Sequence, residues 1–372
     1  MNNYVYLDYN ASTPLAPEVI DAMKPLLTDY FGNPSALHWA GKPVKSLLDR
    51  AREQVSSLLA CNPHEVIFTS GGSEANNYAL KGVFYKHQTK GKHIITSKIE
   101  HPAILNPCKF LESMGANITY VGVDQYGRVS PEEIEKAITS ETILISIMHS
   151  NNEVGTLQPI KEIGKIAKHY RIPFHTDASQ SVGKVPINVE ELGVDLLTVA
   201  GHKLYAPKGI GAIYIRNGME LEPLIHGAGH EFGKRAGTEN TLLAVGLGQA
   251  CELAKRNLAS NQIKELRDYF WEELSNRFGS QVVLNGHPVF SLPNTINVSF
   301  VNKIGQEILD LMPAVAASTG SACHAGRIEL SPVLKEMKVP EHIGMGTIRF
   351  SLGIFTTKAE IDQVLEKLQM IL

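Results

Sequence analysis

The sequence predicts an α/β protein in which a mainly parallel sheet is covered by helices on both faces and is followed by a smaller α+β domain. Two observations lead there. From about residue 44 to residue 240, short apolar runs of strand character alternate with amphipathic runs of helical character, the pattern of repeated β–α units. Past a long helical stretch the pattern changes, and the remaining strand-like runs no longer alternate one-for-one with helices. The length, 372 residues, is long for one domain and comfortable for two.

Taken in order, "VIFTS" (66–70) leads into the helical "EANNYALKGVFYKH", and "HIITS" (93–97) into "HPAILNPCKFLESMG". "ITYVGV" (118–123) precedes "SPEEIEKAIT", and "TILISIMHS" (142–150) precedes "IKEIGKIAKHY". "IPFHTDA", "VDLLTVAG" and "GIGAIYI" complete seven strand-like runs. The helical stretch from Thr241 to Phe278 is expected to break near Ala259 and Ser260. "QVVLNG", "TINVSF" and "TIRFSLG" then read as strands, with helices around Gln306 to Met312 and Lys358 to Leu372.

Composition excludes several function classes. A formal charge of -3, with no Lys/Arg block, carries no footprint for nucleic acid. No apolar run is long enough to span a bilayer, and "MNNYVYLDYN" lacks the basic and apolar regions of a secretion signal. The four cysteines, Cys61, Cys108, Cys251 and Cys323, stand far apart without a C-x-x-C pair. This argues against a disulfide framework or a zinc site and for a reducing, cytoplasmic setting; no metal is expected.

Parallel sheets bind ligands beyond the carboxyl ends of their strands, so the residues just after each strand carry the information. After "VIFTS", Gly71 and Gly72 permit a tight turn, and Ser73 with the following amides opens a helix whose free N–H groups suit a phosphate. The ordinary alternative is a serine cap after a glycine turn. "FHTDASQ" puts Asp177 and Gln180 at another strand end, where a carboxylate caps a helix or holds the proton of a buried heterocyclic nitrogen. Lys203, in "TVAGHKLYAPKGIG", lies between two strands that read as buried, where desolvation lowers its pKa and favours the amine nucleophile. An anion cradle, a carboxylate for a ring nitrogen and a buried lysine are together what pyridoxal phosphate requires. Cys323 sits in "STGSACHAG" among small polar residues rather than the Leu, Ile or Val that surround a core thiol. Gly320 and Gly326 bracket it, as in a mobile loop. The ordinary alternative is a passive surface thiol.

The chain resembles the cysteine desulfurases of the fold-type I, class V pyridoxal phosphate enzymes. "YLDYNASTP", "FGNPSALH", "FTSGGSEANN", "SKIEHPA", "MHSNNEVG", "HTDASQSVGK", "GHKLYAPKGIGA", "RAGTENT", "GSAC" and "IRFSLG" have counterparts there in the same order, nearly end to end. The resemblance implies a large cofactor-binding domain over 13–255 with a seven-stranded sheet. It implies a small domain from 1–12 and 256–372 that carries the cysteine loop at about 318–332. It further implies a homodimer with sites at the subunit interface, L-cysteine as substrate and a sulfur-accepting partner protein. Lys203 would carry the cofactor, His101 would stack on its ring and move protons, and Asp177 would pair with the pyridinium nitrogen. Asn152 and Gln180 would address the phenolic oxygen. Gly72, Ser73 and His202 would hold the phosphate, with Thr238 reaching in from the second subunit. Arg349, together with Asn152, would hold the substrate carboxylate, an interior ion pair being the alternative for Arg349. Cys323 would take the substrate sulfur as a persulfide, for iron–sulfur assembly or another sulfur route.

Two departures stand out. Ala200 occupies a position where many relatives have serine, which removes one hydroxyl from the phosphate site, and the sequence stops at Leu372 without the longer tail of some relatives. Selenocysteine lyase is the nearest sister activity: His324 and Ala200 lean toward it, while "GSAC" and the loop length of "RIELSPVL" lean toward the desulfurase. A cysteine hydrolase built on Cys323 lacks a nucleophile elbow and leaves the phosphate turn and Lys203 unexplained. A binding module without catalysis has no need of Lys203, Cys323 and Arg349 together.

Overall fold

The computed structural model describes residues 4–319, 321–324 and 327–372, and among these the side chains of 321–328 fall outside the description. A seven-stranded sheet forms its centre, in the spatial order Val66–Thr69, Gly211–Ile215, Leu196–Ala200, Phe174–Asp177, Thr142–Ser146, His93–Ser97, Asn117–Val121. Six strands run the same way, and Gly211–Ile215 alone is reversed, antiparallel to both neighbours. Five of the seven, from Val66–Thr69 through Gly211–Ile215 in chain order but without Asn117–Val121 and Thr142–Ser146, are buried at every position, as β-branched runs covered on both faces must be.

Helices cover both faces. On one side Gly41–Leu59, Ile160–Tyr170 and Thr241–Asn257 enclose a hydrophobic cluster that includes Val55, Phe68, Ile145, Phe174, Leu197 and Leu247. On the other, Gly72–His87 and Pro102–Ser113 pack Tyr78, Phe84, Ile104 and Leu111 against Ile94, Leu144 and Ile213. The expected break in the long helical stretch falls at residues 258–261, between Thr241–Asn257 and Gln262–Phe278. A second sheet, ordered Ser318–Thr319, Thr347–Ser351, Thr295–Phe300, Val282–Asn285, is antiparallel. It packs Ile296, Val298, Ile348 and Phe350 against Phe270, Leu274, Ile361 and Leu365. Val5 and Leu7 belong to that cluster too, because Val5–Tyr6 pairs in parallel with Val315–Ala316. Among the described residues no helix is long and apolar enough to cross a membrane.

The segment read as a loop around Cys323 differs from that expectation where its main chain is described. Ser321–His324 pairs antiparallel with Arg327–Leu330, and Cys323 stands opposite Ile328. Small residues such as Ser321 and Ala322 give no apolar alternation from which pairing could be read. The Cys323 side chain, with Gly320 and Gly326, lies outside the described residues.

One buried ion pair ties the outer strand to its surroundings. Arg52, on Gly41–Leu59, meets Glu231 bidentately at 2.8 and 2.6 Å, and Glu231 also accepts the Phe68 N–H at 2.8 Å. That amide lies on the strand Val66–Thr69 at the sheet edge, where main-chain donors otherwise stand open. The guanidinium lies 4.7 Å from the centre of the Phe68 ring. Both partners are nearly sealed from water, so removing one leaves the other charge buried and uncompensated. Arg52→Met is expected to destabilise the fold by about 3–5 kcal/mol, read as a lowered denaturant midpoint of the cofactor-free protein.

Candidate active site

Beyond the carboxyl ends of the parallel strands lies a cavity of about 650 Å³. Its lining includes Gly72, Ser73, His101, Asn152, Asp177, Gln180, His202, Lys203 and Arg349, drawn from six separate sequence regions. Thr238 is exposed and is not part of the lining.

The anion end is made by the helix Gly72–His87. Gly71 has φ +152, which lets the chain turn sharply from strand to helix, and no side chain caps the first turn. The free N–H groups of that turn therefore open onto the cavity rather than onto a built-in acceptor. Gly211, on the reversed strand, lets this turn sit close, since a Cβ there would lie 2.8 Å from Gly71 Cα. Ser179, which the sequence reading passed over, also lines the cavity, and its Oγ lies 3.1 Å from where a Gly72 Cβ would be. It supplies a hydroxyl on the side of the pocket where Ala200 has none.

Asp177 ends the strand Phe174–Asp177. Its Oδ2 accepts from Asn76 Nδ2 at 2.7 Å and its Oδ1 from the Ser179 N–H at 2.9 Å. The carboxylate is thus aimed by one side-chain and one main-chain donor, and each oxygen keeps a lone-pair direction for a further donor. Asn76 Oδ1 is buried without a partner, a polar atom that faces an unmet requirement in this part of the site.

Lys203 closes the short 3-10 turn Gly201–Lys203 between two fully buried strands. Its Nζ donates to the carbonyls of Asn10 at 2.6 Å and Ala11 at 2.7 Å. Burial first, and then the charge of Arg349, bring its pKa down to about 8, against the opposing pull of Asp8 and Asp177. The same burial holds the His202 imidazole down to about 4, with Lys203 and Lys208 adding to it. His101 is the N-cap of Pro102–Ser113, and its Nδ1 accepts the Ala103 N–H at 3.1 Å. Burial lowers its pKa too, so near neutral pH the ring is uncharged and its proton sits on Nε2.

Arg349, on Thr347–Ser351, donates through Nη2 to Asp8 Oδ1 at 2.7 Å and Ser318 Oγ at 2.9 Å, and through Nη1 to the Asn152 carbonyl at 2.8 Å. It is both an interior ion pair and a wall of the cavity. Asn10, Asp8 and Asn76 were not visible as site residues in the sequence. Asn10 lies 193 residues from Lys203, and only the fold brings its carbonyl to the amine. The described thiols are remote from this chemistry: burial raises Cys61 and Cys108 to about 12 and Cys251 higher still.

A pKa near 8 sets the titration of the site amine. In the cofactor-free protein, modification of Lys203 by an amine-specific reagent should rise with pH through a midpoint near 8, as the free amine forms. Ordinary surface lysines should follow at about 10.4. Peptide mapping after modification at several pH values reads both.

The family model for aminotransferase class-V matches residues 5–364. A curated relative from Dictyoglomus turgidum, named cysteine desulfurase IscS, is 51% identical, covering 100% of this chain and 95% of its own length. A solved structure described as a NifS-like protein has a TM-score of 0.93 at 37% identity, over 99% of both chains. Another, described as SspA in complex with cysteine, has a TM-score of 0.85 at 40% identity, over 95% of this chain and 100% of that one. With a family match across nearly its whole length and relatives of this similarity, the chain belongs to the aminotransferase class-V family, in its cysteine desulfurase branch.

Proposed function

We propose that the protein converts L-cysteine to L-alanine with pyridoxal 5'-phosphate and takes the sulfur onto Cys323. The observation that carries this is the meeting, in one cavity, of an uncapped helix N-terminus, a carboxylate aimed by two donors and a lysine with a depressed pKa. Those features fit the cofactor's phosphate, its ring nitrogen and its aldehyde respectively. The buried, unpartnered Asn76 Oδ1 is a further polar atom available to a ligand at this place. The cysteine in the SspA structure and the names of the curated relatives support cysteine over selenocysteine as the substrate.

When bound, pyridoxal phosphate withdraws electrons from the substrate's α-carbon, so that the α-proton and then the Cβ–Sγ bond become labile. Gly72, Ser73 and His202 would hold the phosphate, with the Ser179 hydroxyl beside them. Asp177 would keep a proton on the ring nitrogen. Gln180 and Asn152 would address the phenolic oxygen, and His101 would face the ring and handle protons through Nε2. Lys203 would hold the cofactor's aldehyde, and its amine would serve as the base for the substrate's α-proton. Arg349 takes the substrate carboxylate, with Asn152 alongside. Cys323 as thiolate attacks the substrate sulfur: an S–S bond forms, the Cβ–Sγ bond breaks, and alanine leaves with a persulfide remaining on the enzyme. A partner protein accepts that sulfur.

The active unit is a homodimer. Thr238, exposed and outside this chain's own cavity, is assigned to the phosphate of the second copy's site. The segment that bears Leu27, Phe31, Leu37 and Trp39 exposes all four, between 67% and 87%, an apolar surface suited to a protein partner. The free thiols of Cys61, Cys108 and Cys251 accord with a cytoplasmic setting.

The deciding experiment is Cys323→Ala. A thiolate leaves carbon poorly and needs a sulfur acceptor, so the variant should bind cysteine, seen as a change in the cofactor's absorption, yet release no alanine and carry no persulfide. Undiminished alanine production would remove Cys323 from the reaction. Wild-type protein that is fast on selenocysteine and inert toward cysteine would transfer the assignment to selenocysteine lyase.

Asp177→Asn tests the ring-nitrogen role. An amide accepts a proton far less readily than a carboxylate, so α-proton loss should slow by about a hundredfold or more, followed as exchange of the α-proton with deuterated solvent. Cofactor content should stay near that of the wild type, because the phosphate grip is untouched.

A further inference from the structure

Lys184 is a second lysine beside the site, and the reaction described above gives it no part. It lies outside the cavity lining, on the far side of Gln180. Its Nζ donates to Gln180 Oε1 at 2.9 Å and to Asn10 Oδ1 at 3.0 Å. Burial, together with the charges of Lys203 and Arg349, drives its pKa well below the lysine range. Charged or neutral, the head group has at least two N–H donors, and both are committed here.

The consequence falls on Gln180, whose amide has two chemically opposite ends. Its Nε2 donates to the Asn10 carbonyl at 2.9 Å, and a carbonyl only accepts. Its Oε1 faces Lys184, which donates. The two contacts agree on one orientation, with nitrogen toward the Asn10 carbonyl, and they leave the second Nε2 hydrogen free. Asn10 is fixed by the same logic. Its Oδ1 receives Lys184 and Asn294 Nδ2, and its Nδ2 donates to Thr295 Oγ1 at 2.8 Å. The Asn10 carbonyl, in turn, accepts both Gln180 and Lys203. Lys184 thus stands behind Gln180 and Asn10, outside the lining of the cavity.

We propose that Lys184 is a positioning residue that makes Gln180 a hydrogen-bond donor toward the cofactor's phenolic oxygen. This rests on the reading of the cavity as a pyridoxal phosphate site. Without Lys184, Gln180 Oε1 is left without its donor, and only the Asn10 carbonyl still holds the amide's orientation, so the Nε2 donor is aimed less firmly. A donor at the phenolic oxygen favours its ionised form, which absorbs in the visible, over the protonated form, which absorbs in the near ultraviolet.

The test is a double-mutant cycle of Lys184→Met and Gln180→Ala, read by cofactor dissociation constant and absorption spectrum rather than by turnover. Lys184→Met alone should weaken cofactor binding about tenfold, the size of one hydrogen bond to a charged group, and move absorbance from the visible to the near-ultraviolet band. In the Gln180→Ala background the same substitution should change neither reading by more than about twofold, since no amide remains to orient. Lys184→Arg, which keeps the donors, should restore the wild-type spectrum. No effect of Lys184→Met on the wild-type background would overturn the proposal, and so would an equal effect in both backgrounds. If Lys184→Met does not fold, Lys184→Gln carried through the same two backgrounds decides it in the same way. Wild-type protein that takes up no pyridoxal phosphate at all would instead defeat the reading of the cavity.

Discussion

The site depends on how the N-terminal segment is anchored. Val5 and Leu7 hold it in a hydrophobic cluster, and a few residues later the carbonyls of Asn10 and Ala11 receive Lys203. Asp8 on the same stretch holds Arg349, and Thr13 accepts no less a role by donating its N–H to the His202 carbonyl. An amine taken out of bulk water needs acceptors that do not themselves compete for its proton, and main-chain carbonyls meet that condition. A carboxylate in their place would hold the ammonium form and push the pKa up. With carbonyls as partners, burial and the neighbouring guanidinium prevail, and the amine is available near neutral pH.

Much of the fold was legible because its strands are short, apolar and separated by helices of ordinary periodicity. Six of the seven strands of the main sheet lie within the runs read from the sequence, and Asn117–Val121 starts one residue before its run; the break between Thr241–Asn257 and Gln262–Phe278 falls where it was expected. Lys203, Asp177 and the turn at Gly71–Gly72 were legible for the same reason: each stands at or just beyond a strand's carboxyl end, where an α/β sheet puts its ligands. Asn10, Asp8 and Lys184 were not, because each acts through partners far away in the chain. Asp8 and Arg349 are 341 residues apart, and Lys184 and Asn10 are 174 apart. Only Lys184 and Gln180, four residues apart, could have been paired from the sequence, yet a lysine after a glutamine is too common a neighbour to draw attention. The strand pairing on either side of Cys323 was hidden because its residues are too small and polar to show which face is buried.

Polar atoms at this site mostly hold one another in place. Asp177 is aimed by Asn76, Asn10 by Thr295 and Asn294, and Arg349 by Asp8 and Ser318. Such arrangements cost desolvation and return geometry, since each donor and acceptor excludes alternative rotamers of its neighbour. The apolar clusters hold the sheet together, and the polar network decides where individual atoms stand on it.

The reversed strand Gly211–Ile215 has a mechanical consequence. A parallel neighbour would have to begin at the opposite end of the sheet, so the chain leaving Ala200 would first cross the whole molecule. Because this strand runs backward, Ala200 and Gly211 stand side by side, and the ten residues between them leave and re-enter the sheet at the same edge. The lysine-bearing turn is therefore clamped at both ends by a ladder whose two strands are buried at every position. Motion of either outer layer has little leverage on such a short arch. The amine can travel only as far as its own four methylenes swing, which is the range needed to let go of one partner and reach another.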